Sequence, residues 1–330
     1  MKEELIVSGR SIPNIDPVLH IWHWQIPLYL FVGGLAAGIM FFAAYFFIRG
    51  RGDELKTSVQ IAPVFAPFLI VIGLIALLLD LKHQLYFWRL YTTIRIDSPM
   101  SWGAWTLGVV MPLSIIWPLT YLQEMKTYFQ KHHPFAYPVV AWVDKMVKSI
   151  KIVDNIIRWF VKNRYGLAWV IIIFSIILGV YTGILLSAFN ARPLWNTSIL
   201  GPLFLTSGLS TGAALIMWTS KSVKEKIIFS RIDIILIAVE LFFIIHLFMG
   251  FLASGAVQIE SAELFFGGEF TAIFWIGVVM VGLVVPIILE TMELFGYHIP
   301  ISIPAVLILI GGLLFRFVMV EAGQLTRYLY

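Results

Sequence analysis

Residues 22–48 read WHWQIPLYLFVGGLAAGIMFFAAYFFI, an apolar run that contains no lysine, arginine, aspartate or glutamate. A helix needs about 20 predominantly apolar residues to cross the hydrocarbon core of a bilayer. This run is therefore long enough for one complete membrane span. Runs of the same character follow, and we predict further helices over residues 61–88, 101–123, 166–190, 197–219, 232–255, 270–290 and 301–323.

The composition of the whole chain agrees with repeated membrane crossing. Of its 330 residues, 60% are hydrophobic and 13% are charged, and the mean hydropathy is +0.90. Soluble domains carry about 25% charged residues, so this apolar surface must face lipid. Because backbone polar groups in lipid must be satisfied internally, the spans are expected to be helices. We predict an all-α integral membrane protein with about eight transmembrane helices.

Two glycine motifs indicate that the helices form two groups. Residues 34–38 in the first predicted helix read GLAAG, and residues 208–212 in the fifth read GLSTG. Small residues four positions apart let helix backbones approach closely. We therefore predict an N-terminal segment over residues 1–21, a first four-helix bundle over 22–190 and a second over 191–330. The alternative is that such motifs are simply common in membrane helices.

Lysine and arginine concentrate in the loops that follow the first, third and fifth predicted helices. The positive-inside bias predicts that these loops are cytoplasmic and that both termini are extracytoplasmic. In the longest loop, Val143, Met146, Val147 and Ile150 recur at helical spacing among lysines. This pattern predicts an amphipathic helix over 139–160 that lies on the anionic lipid of the inner leaflet; the alternative is a solvated linker helix. The sequence pI of 9.2 thus reflects membrane topology, and we predict no nucleic-acid partner.

The chain contains no cysteine, which excludes disulfides, cysteine-ligated iron–sulfur clusters and cysteine-ligated zinc. Haem b in a helix bundle usually requires paired histidines at matched depth. The histidine deepest in a predicted span, His246, has no evident partner. We therefore expect no haem, no iron–sulfur cluster and no metal in this chain.

A group of polar residues shares the outer half of the predicted membrane region. Asp80, His23 and Tyr181 come from three different helices, and Ser98 and Trp102 stand at the start of a fourth. A quinone site needs apolar walls, hydrogen-bond donors for the two ring oxygens and a group that exchanges protons. We predict a quinone pocket lined by these five residues, in which His23 and Tyr181 donate and Asp80 exchanges the proton.

Each of these residues also has a structural interpretation. The tryptophans are typical of an aromatic belt at the membrane surface. Tyr181 is flanked by glycines and could serve packing alone. Asp80 could form an ion pair with Lys82 or Arg89 further along the chain.

A second set of polar residues falls in the last predicted spans. Glu240, His246, Arg316 and Glu321 stand at successive depths from the inner to the outer side. Ionisable residues inside a membrane are costly and often form proton relays, so these four are a candidate proton route. The alternative is interhelical pairing that serves structure.

Four stretches resemble, in order, the NrfD/PsrC family of membrane subunits. Residues 24–38 read WQIPLYLFVGGLAAG, residues 78–81 read LLDL before Phe87-Trp88-Arg89, residues 98–105 read SPMSWGAW, and residues 179–187 read GVYTGILLS. The resemblance runs through nearly the whole chain. It implies a site for menaquinone or ubiquinone near the outer face, lined by His23, Asp80 and Tyr181.

The resemblance also implies partners and a location. It implies a ferredoxin-like subunit with several iron–sulfur clusters, a molybdopterin or multihaem catalytic subunit, and the inner membrane of a bacterium or archaeon. We expect a quinone- or quinol-reacting membrane subunit of a respiratory oxidoreductase of the polysulfide reductase type, with possible coupling to proton transfer. The terminal substrate would be handled by another chain. The alternative is a subunit that translocates protons or ions without quinone chemistry.

Overall fold

The computed structural model describes residues 21–132, 134–135 and 137–328. Nearly all of the predicted N-terminal segment 1–21 therefore lies outside the described residues. The α-helices, numbered in chain order, are α1 Gln25–Ile48, α2 Phe65–Asp80, α3 Arg89–Thr92, α4 Pro99–Leu119, α5 Leu122–His132, α6 Tyr137–Ser149, α7 Lys151–Lys162, α8 Arg164–Ser187, α9 Leu200–Thr219, α10 Val223–Leu252, α11 Ala256–Glu263, α12 Val285–Leu294 and α13 Ser302–Leu325.

Two spans begin with tighter or wider helical turns. The π-helix Thr57–Ile61 and the 3-10 turn Ala62–Val64 lead into α2, and the π-helix Ile273–Val284 leads into α12. A further 3-10 turn, Gln84–Tyr86, lies between α2 and α3. With these extensions, eight helices among the described residues are long and apolar enough to cross a membrane: α1, α2, α4, α8, α9, α10, α12 and α13. The predicted all-α membrane fold is confirmed.

The ends of two spans differ from the prediction. The second span ends at Asp80 rather than at residue 88, because Leu81 adopts an extended backbone with ψ 128°. The sixth span begins at Val223 rather than at residue 232. There the Ser222 hydroxyl accepts a hydrogen bond from the backbone N–H of Glu225 at 3.4 Å, which caps the helix. Hydropathy detects the apolar part of a helix, whereas this capped helix continues through charged turns.

The prediction of one helix over 139–160 is wrong. The structure has α6 and α7 instead, separated by Ile150 with φ −102° and ψ 96°. After the break, α6 packs on α5 and α7 packs on α6, and Leu122, Val147 and Ile157 are buried in one cluster. One straight helix could not bring Val147 and Ile157 against the same neighbour.

A buried carboxylate holds this helical unit together. Asp144 accepts hydrogen bonds from Gln123 Nε2 at 2.8 Å, Lys126 Nζ at 3.2 Å and Lys148 Nζ at 2.9 Å. Burial raises the pKa of the Asp144 carboxyl, but the hydrogen bonds from Lys148 and Lys126 outweigh it and hold the pKa below its usual value. We call the end of the molecule that carries α5 to α7 the lysine-rich end.

Helix α1 is the centre of the fold. It packs against α2, α8, α9 and α13, and most of its residues are buried. Helix α9 is the second hub, because it also contacts α8, α10 and α13. Helix α4 packs on α8, and α12 with its π-helical extension packs on α13. The division into two bundles at residue 190 stays a prediction.

The two hubs meet through glycine backbones. A Cβ atom added to Gly212 would lie 2.7 Å from the carbonyl carbon of Gly38, and one added to Gly208 would lie 2.9 Å from the carbonyl oxygen of Gly34. Real Cβ atoms essentially never approach other atoms so closely. The glycine motifs of residues 34–38 and 208–212 therefore contact each other directly and permit this crossing.

We expect Gly212→Ala to destabilise the protein. The added methyl group must separate α1 from α9, and overpacking of this kind costs about 1–3 kcal/mol. Gly250→Ala is the matched control, because nothing lies within 4 Å of a Cβ at that helical glycine. Thermal unfolding in detergent should show a lower midpoint for the first variant only. Equal midpoints would contradict the close crossing.

Candidate functional site

A cavity opens between α1, α2, α3, α4 and α8 at the end opposite the lysine-rich one. It encloses about 650 Å³, counting its open mouth. Four of its lining side chains are polar, namely Asp80, Tyr181, Tyr29 and Tyr91. The rest of the wall is Trp22, Ile26, Leu77, Leu81, Leu90, Met100, Gly103, Ala104, Leu107 and Leu185.

Asp80 reaches the cavity because α2 stops there. As the last residue of the helix, it is only partly buried, and the extended Leu81 leads the backbone away. The structure has no ion pair between Asp80 and Lys82 or Arg89. Arg89 instead lies over the rings of Tyr86 and Trp88, at 4.7 and 5.6 Å from the centroids. The Asp80 carboxylate is therefore available to a ligand in the cavity.

Three tyrosines surround the same space. Tyr181 is 7% exposed and packs against Gly103, where any Cβ atom would collide with its hydroxyl. Tyr29 is 3% exposed and lies within electrostatic reach of Tyr181 and Tyr91. Burial raises the pKa of Tyr91, which belongs to the short helix α3 outside the spans. Its phenol consequently stays protonated at neutral pH and can donate a hydrogen bond.

The other predicted pocket residues lie elsewhere. His23 lines a neighbouring cavity on the far side of Trp22 but remains close enough to act electrostatically on Asp80. Ser98 precedes α4, and its backbone oxygen accepts hydrogen bonds from the first turn of that helix. Trp102 is 52% exposed, and its indole donates to the Ile96 carbonyl at 2.8 Å. Neither Ser98 nor Trp102 lines the cavity that Asp80 and Tyr181 share.

An apolar groove continues from the cavity toward the lipid-facing side of α2. Leu77, Leu81, Leu90 and Tyr91 line both spaces. The groove is otherwise lined by Val71, Leu74, Ile75, Leu78 and Phe87. A ligand with a polar head and a long apolar tail could therefore occupy the two spaces together.

One glutamine ties the segment that enters α1 to the last helix. The Gln324 side chain accepts hydrogen bonds from the backbone N–H groups of Ile21 and Trp22 at 3.1 and 2.8 Å, and it donates to the Trp22 carbonyl at 2.8 Å. This places the Trp22 ring between the main cavity and the neighbouring one that holds His23 and Glu321.

Two of the four predicted proton-route residues lie together in the structure. Glu240 and Arg316 are buried within the last four spans and face each other electrostatically. Arg316 also donates to the hydroxyl of Ser207, to the Gly312 carbonyl at 3.0 Å and to the Phe204 carbonyl at 3.3 Å. These contacts supply counter-charge and acceptors inside a region of low dielectric constant.

His246 and Glu321 do not join that pair. His246 is exposed on the surface of α10, and its ring contacts Phe242 with a centroid separation of 3.9 Å. Its Nδ1 lies 2.8 Å from the Phe242 carbonyl oxygen. Glu321 is exposed in the cavity beside His23. Of the four residues, the structure therefore brings only Glu240 and Arg316 together, and the proton route itself stays a prediction.

Two buried carboxylates were missed in the sequence. Asp233 and Glu290 are both 0% exposed and lie close to each other between α10 and α12. The predicted helices 232–255 and 270–290 put both residues at helix ends, where a charged side chain costs little free energy because water is near. The spacing of Asp233 and Glu240, seven residues on one helix, was the signal that both occupy one face.

Tyr29 and Tyr91 were missed for different reasons. Tyr29 stands inside the first motif but reads as one more aromatic residue of an apolar helix. Tyr91 lies beyond the end of α2 and also beyond residue 88, where the predicted helix ended. Only the folded protein brings it back over Asp80.

Fold and cavity together define a multi-pass α-helical membrane protein with a polar, lipid-connected pocket. The family model described as "Polysulphide reductase, NrfD" matches residues 13–327. The chain therefore belongs to the polysulphide reductase NrfD family.

The chain is also similar to three curated relatives over almost the full length of each protein. The chain is 28% identical to Protein NrfD of Escherichia coli, over 93% of this chain and 96% of that protein. It is 29% identical to the C subunit of the polysulfide reductase of Wolinella succinogenes, over 92% and 94% respectively. A Protein NrfD homolog of Haemophilus influenzae is 25% identical over 96% and 98%.

We expect Gln324→Ala to release the segment before α1 from its anchor. The change removes three partly buried hydrogen bonds, each of which contributes about 0.5–1.5 kcal/mol. Because the chain has no cysteine, a nitroxide can be attached at Ile21→Cys alone, and its mobility can be read by electron paramagnetic resonance. The spectrum should sharpen in Gln324→Ala. Glu321→Gln, one turn earlier and exposed, is the control, and equal sharpening in both would contradict the anchor.

Proposed function

We propose that this chain is the quinone-reacting membrane subunit of a respiratory oxidoreductase complex. Family membership makes it a membrane subunit of an oxidoreductase. The quinone chemistry rests on one observation: Asp80 and three tyrosines surround a cavity that opens into an apolar groove. A quinone headgroup needs the polar cavity, and its isoprenoid tail needs a groove that reaches lipid.

The residues present suit such a ligand. Bound quinone would accept or release two electrons and two protons. The phenols of Tyr181, Tyr29 and Tyr91 can donate hydrogen bonds to ring oxygens, and the Trp22 ring forms an apolar wall. Asp80 lies at the cavity edge and has no ion-pair partner within the part of the chain that the structure describes, so it can hold or release a proton there. His23 interacts electrostatically with Asp80 from outside the cavity.

Electrons must leave or arrive through another protein. This sequence has no cysteine to ligate a cluster. We therefore propose an iron–sulfur partner, ferredoxin-like with several clusters, that docks at the cavity end, together with a molybdopterin or multihaem catalytic subunit. Exposed apolar residues at that end suit a docking face, notably Leu85 at 87% exposure and Ile94 and Ile96 at 74%. In this arrangement both termini face the extracytoplasmic side of a bacterial or archaeal inner membrane.

We expect Tyr181→Phe to weaken quinone binding and Asp80→Asn to block turnover. Loss of one hydrogen bond of about 1 kcal/mol raises Kd about fivefold. Loss of the proton-exchanging group should lower quinol-driven reduction of the iron–sulfur partner about 100-fold with little change in Kd. Binding of 2,3-dimethyl-1,4-naphthoquinone can be followed by quenching of tryptophan fluorescence, since Trp22 lines the cavity.

A pair of glycine variants on α4 provides the control. Gly103→Ala should mimic the loss in Tyr181→Phe, because its methyl group displaces the Tyr181 ring. Gly108→Ala should bind like the wild type, because nothing lies within 4 Å of that position. If Tyr181→Phe and Gly103→Ala both keep the wild-type affinity, the cavity is not the quinone site.

We also propose that the last four spans carry protons, an activity that would serve the quinone reaction or replace it. The supporting observation is the buried Glu240–Arg316 pair and its hydrogen-bonded serine. Such groups cost free energy inside a membrane. Those that occur there usually serve transport or hold helices together.

We expect Glu240→Gln to lower proton movement at least about 10-fold while leaving quinone binding unchanged. The amide keeps the shape of the side chain but cannot exchange a proton. His246→Phe should have no effect, because His246 faces outward. The measurement is the pH change inside liposomes that contain the whole complex, with turnover recorded in parallel. Normal proton movement in Glu240→Gln would remove this residue from the route.

A further inference from the structure

Four polar side chains are buried together beside α10 without the partners that buried polar groups normally have. They are Asp233 and Ser230 on α10, Glu290 on α12 and Ser210 on α9, and each is at most 1% exposed. Within the described residues, both carboxylate oxygens of Asp233, both of Glu290 and the two hydroxyl oxygens lack a hydrogen bond of standard geometry. The great majority of buried polar atoms in proteins have a hydrogen-bond partner, so this cluster requires an explanation.

The two carboxyl groups are neighbours. Asp233 lies within interaction distance of Glu290 and of the Ser210 hydroxyl. The other charged groups around the pair are also acidic or more distant: Glu240 acts on Asp233, and Glu293 acts on Glu290. Arg316 faces Glu240 and not this pair, and Lys226 and His298 act on Glu293.

Two ionised carboxylates cannot remain side by side here. Isolated charges in a medium of low dielectric constant carry a desolvation cost of several kcal/mol each, and like charges repel in addition. No cation among the described residues faces the pair to offset this cost. The cluster must therefore contain a bound positive species. A proton is the smallest such species, and it would also provide the missing hydrogen bond between the two groups.

We propose that Asp233 and Glu290 share one exchangeable proton and form a proton-storage site in the last four spans. The inference deepens the proton transfer proposed above and rests on it only for its role in turnover. The Ser210 hydroxyl, within interaction distance of Asp233, accepts or donates beside the shared proton. Glu293, one turn beyond Glu290 toward the end of α12, is partly exposed and provides the path to water at the lysine-rich end. From the Asp233–Glu290 site, the next carboxyl group that a proton could reach is Glu240, which acts electrostatically on Asp233.

The direct test is infrared spectroscopy of the purified full-length protein, which needs neither quinone nor a partner. A protonated carboxyl group has a C=O stretching band well separated from that of a carboxylate, and the band shifts in D₂O. At neutral pH the wild type should show this band, and Asp233→Asn/Glu290→Gln should lose the equivalent of one carboxyl group. Glu225→Gln is the matched control: its carboxylate is also buried on α10, but it accepts hydrogen bonds from the backbone N–H of Ser58 and the hydroxyl of Ser220, so the band should remain.

The path from water is tested by the rate at which the band shifts after transfer to D₂O. Glu293→Gln should slow this exchange about 10-fold or more. Glu263→Gln, an exposed glutamate at the opposite end of the molecule, should not change it.

Two results would overturn the proposal. One is an unchanged band in the double variant. The other is a band that appears in the wild type only after sodium is removed, which would identify the bound species as a metal cation. Because the spectra are recorded without turnover, a failure of the quinone proposal would leave them unaffected. Absence of quinol oxidation together with a normal band would reject the quinone proposal and keep the proton-storage site.

Discussion

The contact on which the rest of the structure depends is the crossing of α1 and α9 through bare glycine backbones. Gly34, Gly38, Gly208 and Gly212 place no side chain at the crossing point, so the two backbones approach each other closely there. In lipid there is no hydrophobic force between helices, and close packing of this kind is what holds them together. Helices α2, α8, α10 and α13 then assemble around the two hubs.

The crossing also positions the polar residues. The Arg316 side chain lies against Gly34, 3.5 Å from where a Cβ atom would stand, and enters the space that the small residues leave open. From there its guanidinium reaches α9 through Ser207 and the Phe204 carbonyl. On the other side of α1, Tyr29 turns toward α2 and α8 and the cavity. One helix thus separates the proposed quinone chemistry from the proposed proton chemistry.

Acidic side chains are accommodated in four different ways in this molecule. Asp144 in the lysine-rich unit is bound by two lysines and a glutamine. Glu240 is matched by Arg316 inside the membrane region. Asp233 and Glu290 face no cation among the described residues, and Asp80 stands at the edge of a cavity. The first arrangement compensates charge permanently and suits structure, whereas the other three involve carboxyl groups that we propose to exchange protons.

The sequence by itself determined the class of protein, the number of spans and their approximate positions, because each depends on local hydropathy along one helix. It also identified Asp80 and Tyr181, since a lone carboxylate and a phenol at one depth are unusual in apolar helices. Tertiary structure decided what those residues face. It moved His23 behind Trp22, turned His246 outward, broke the helix at Ile150 and brought Asp233 against Glu290. Which face of a helix meets a neighbour depends on rotation and crossing geometry, and those are properties of the packed protein rather than of any single segment.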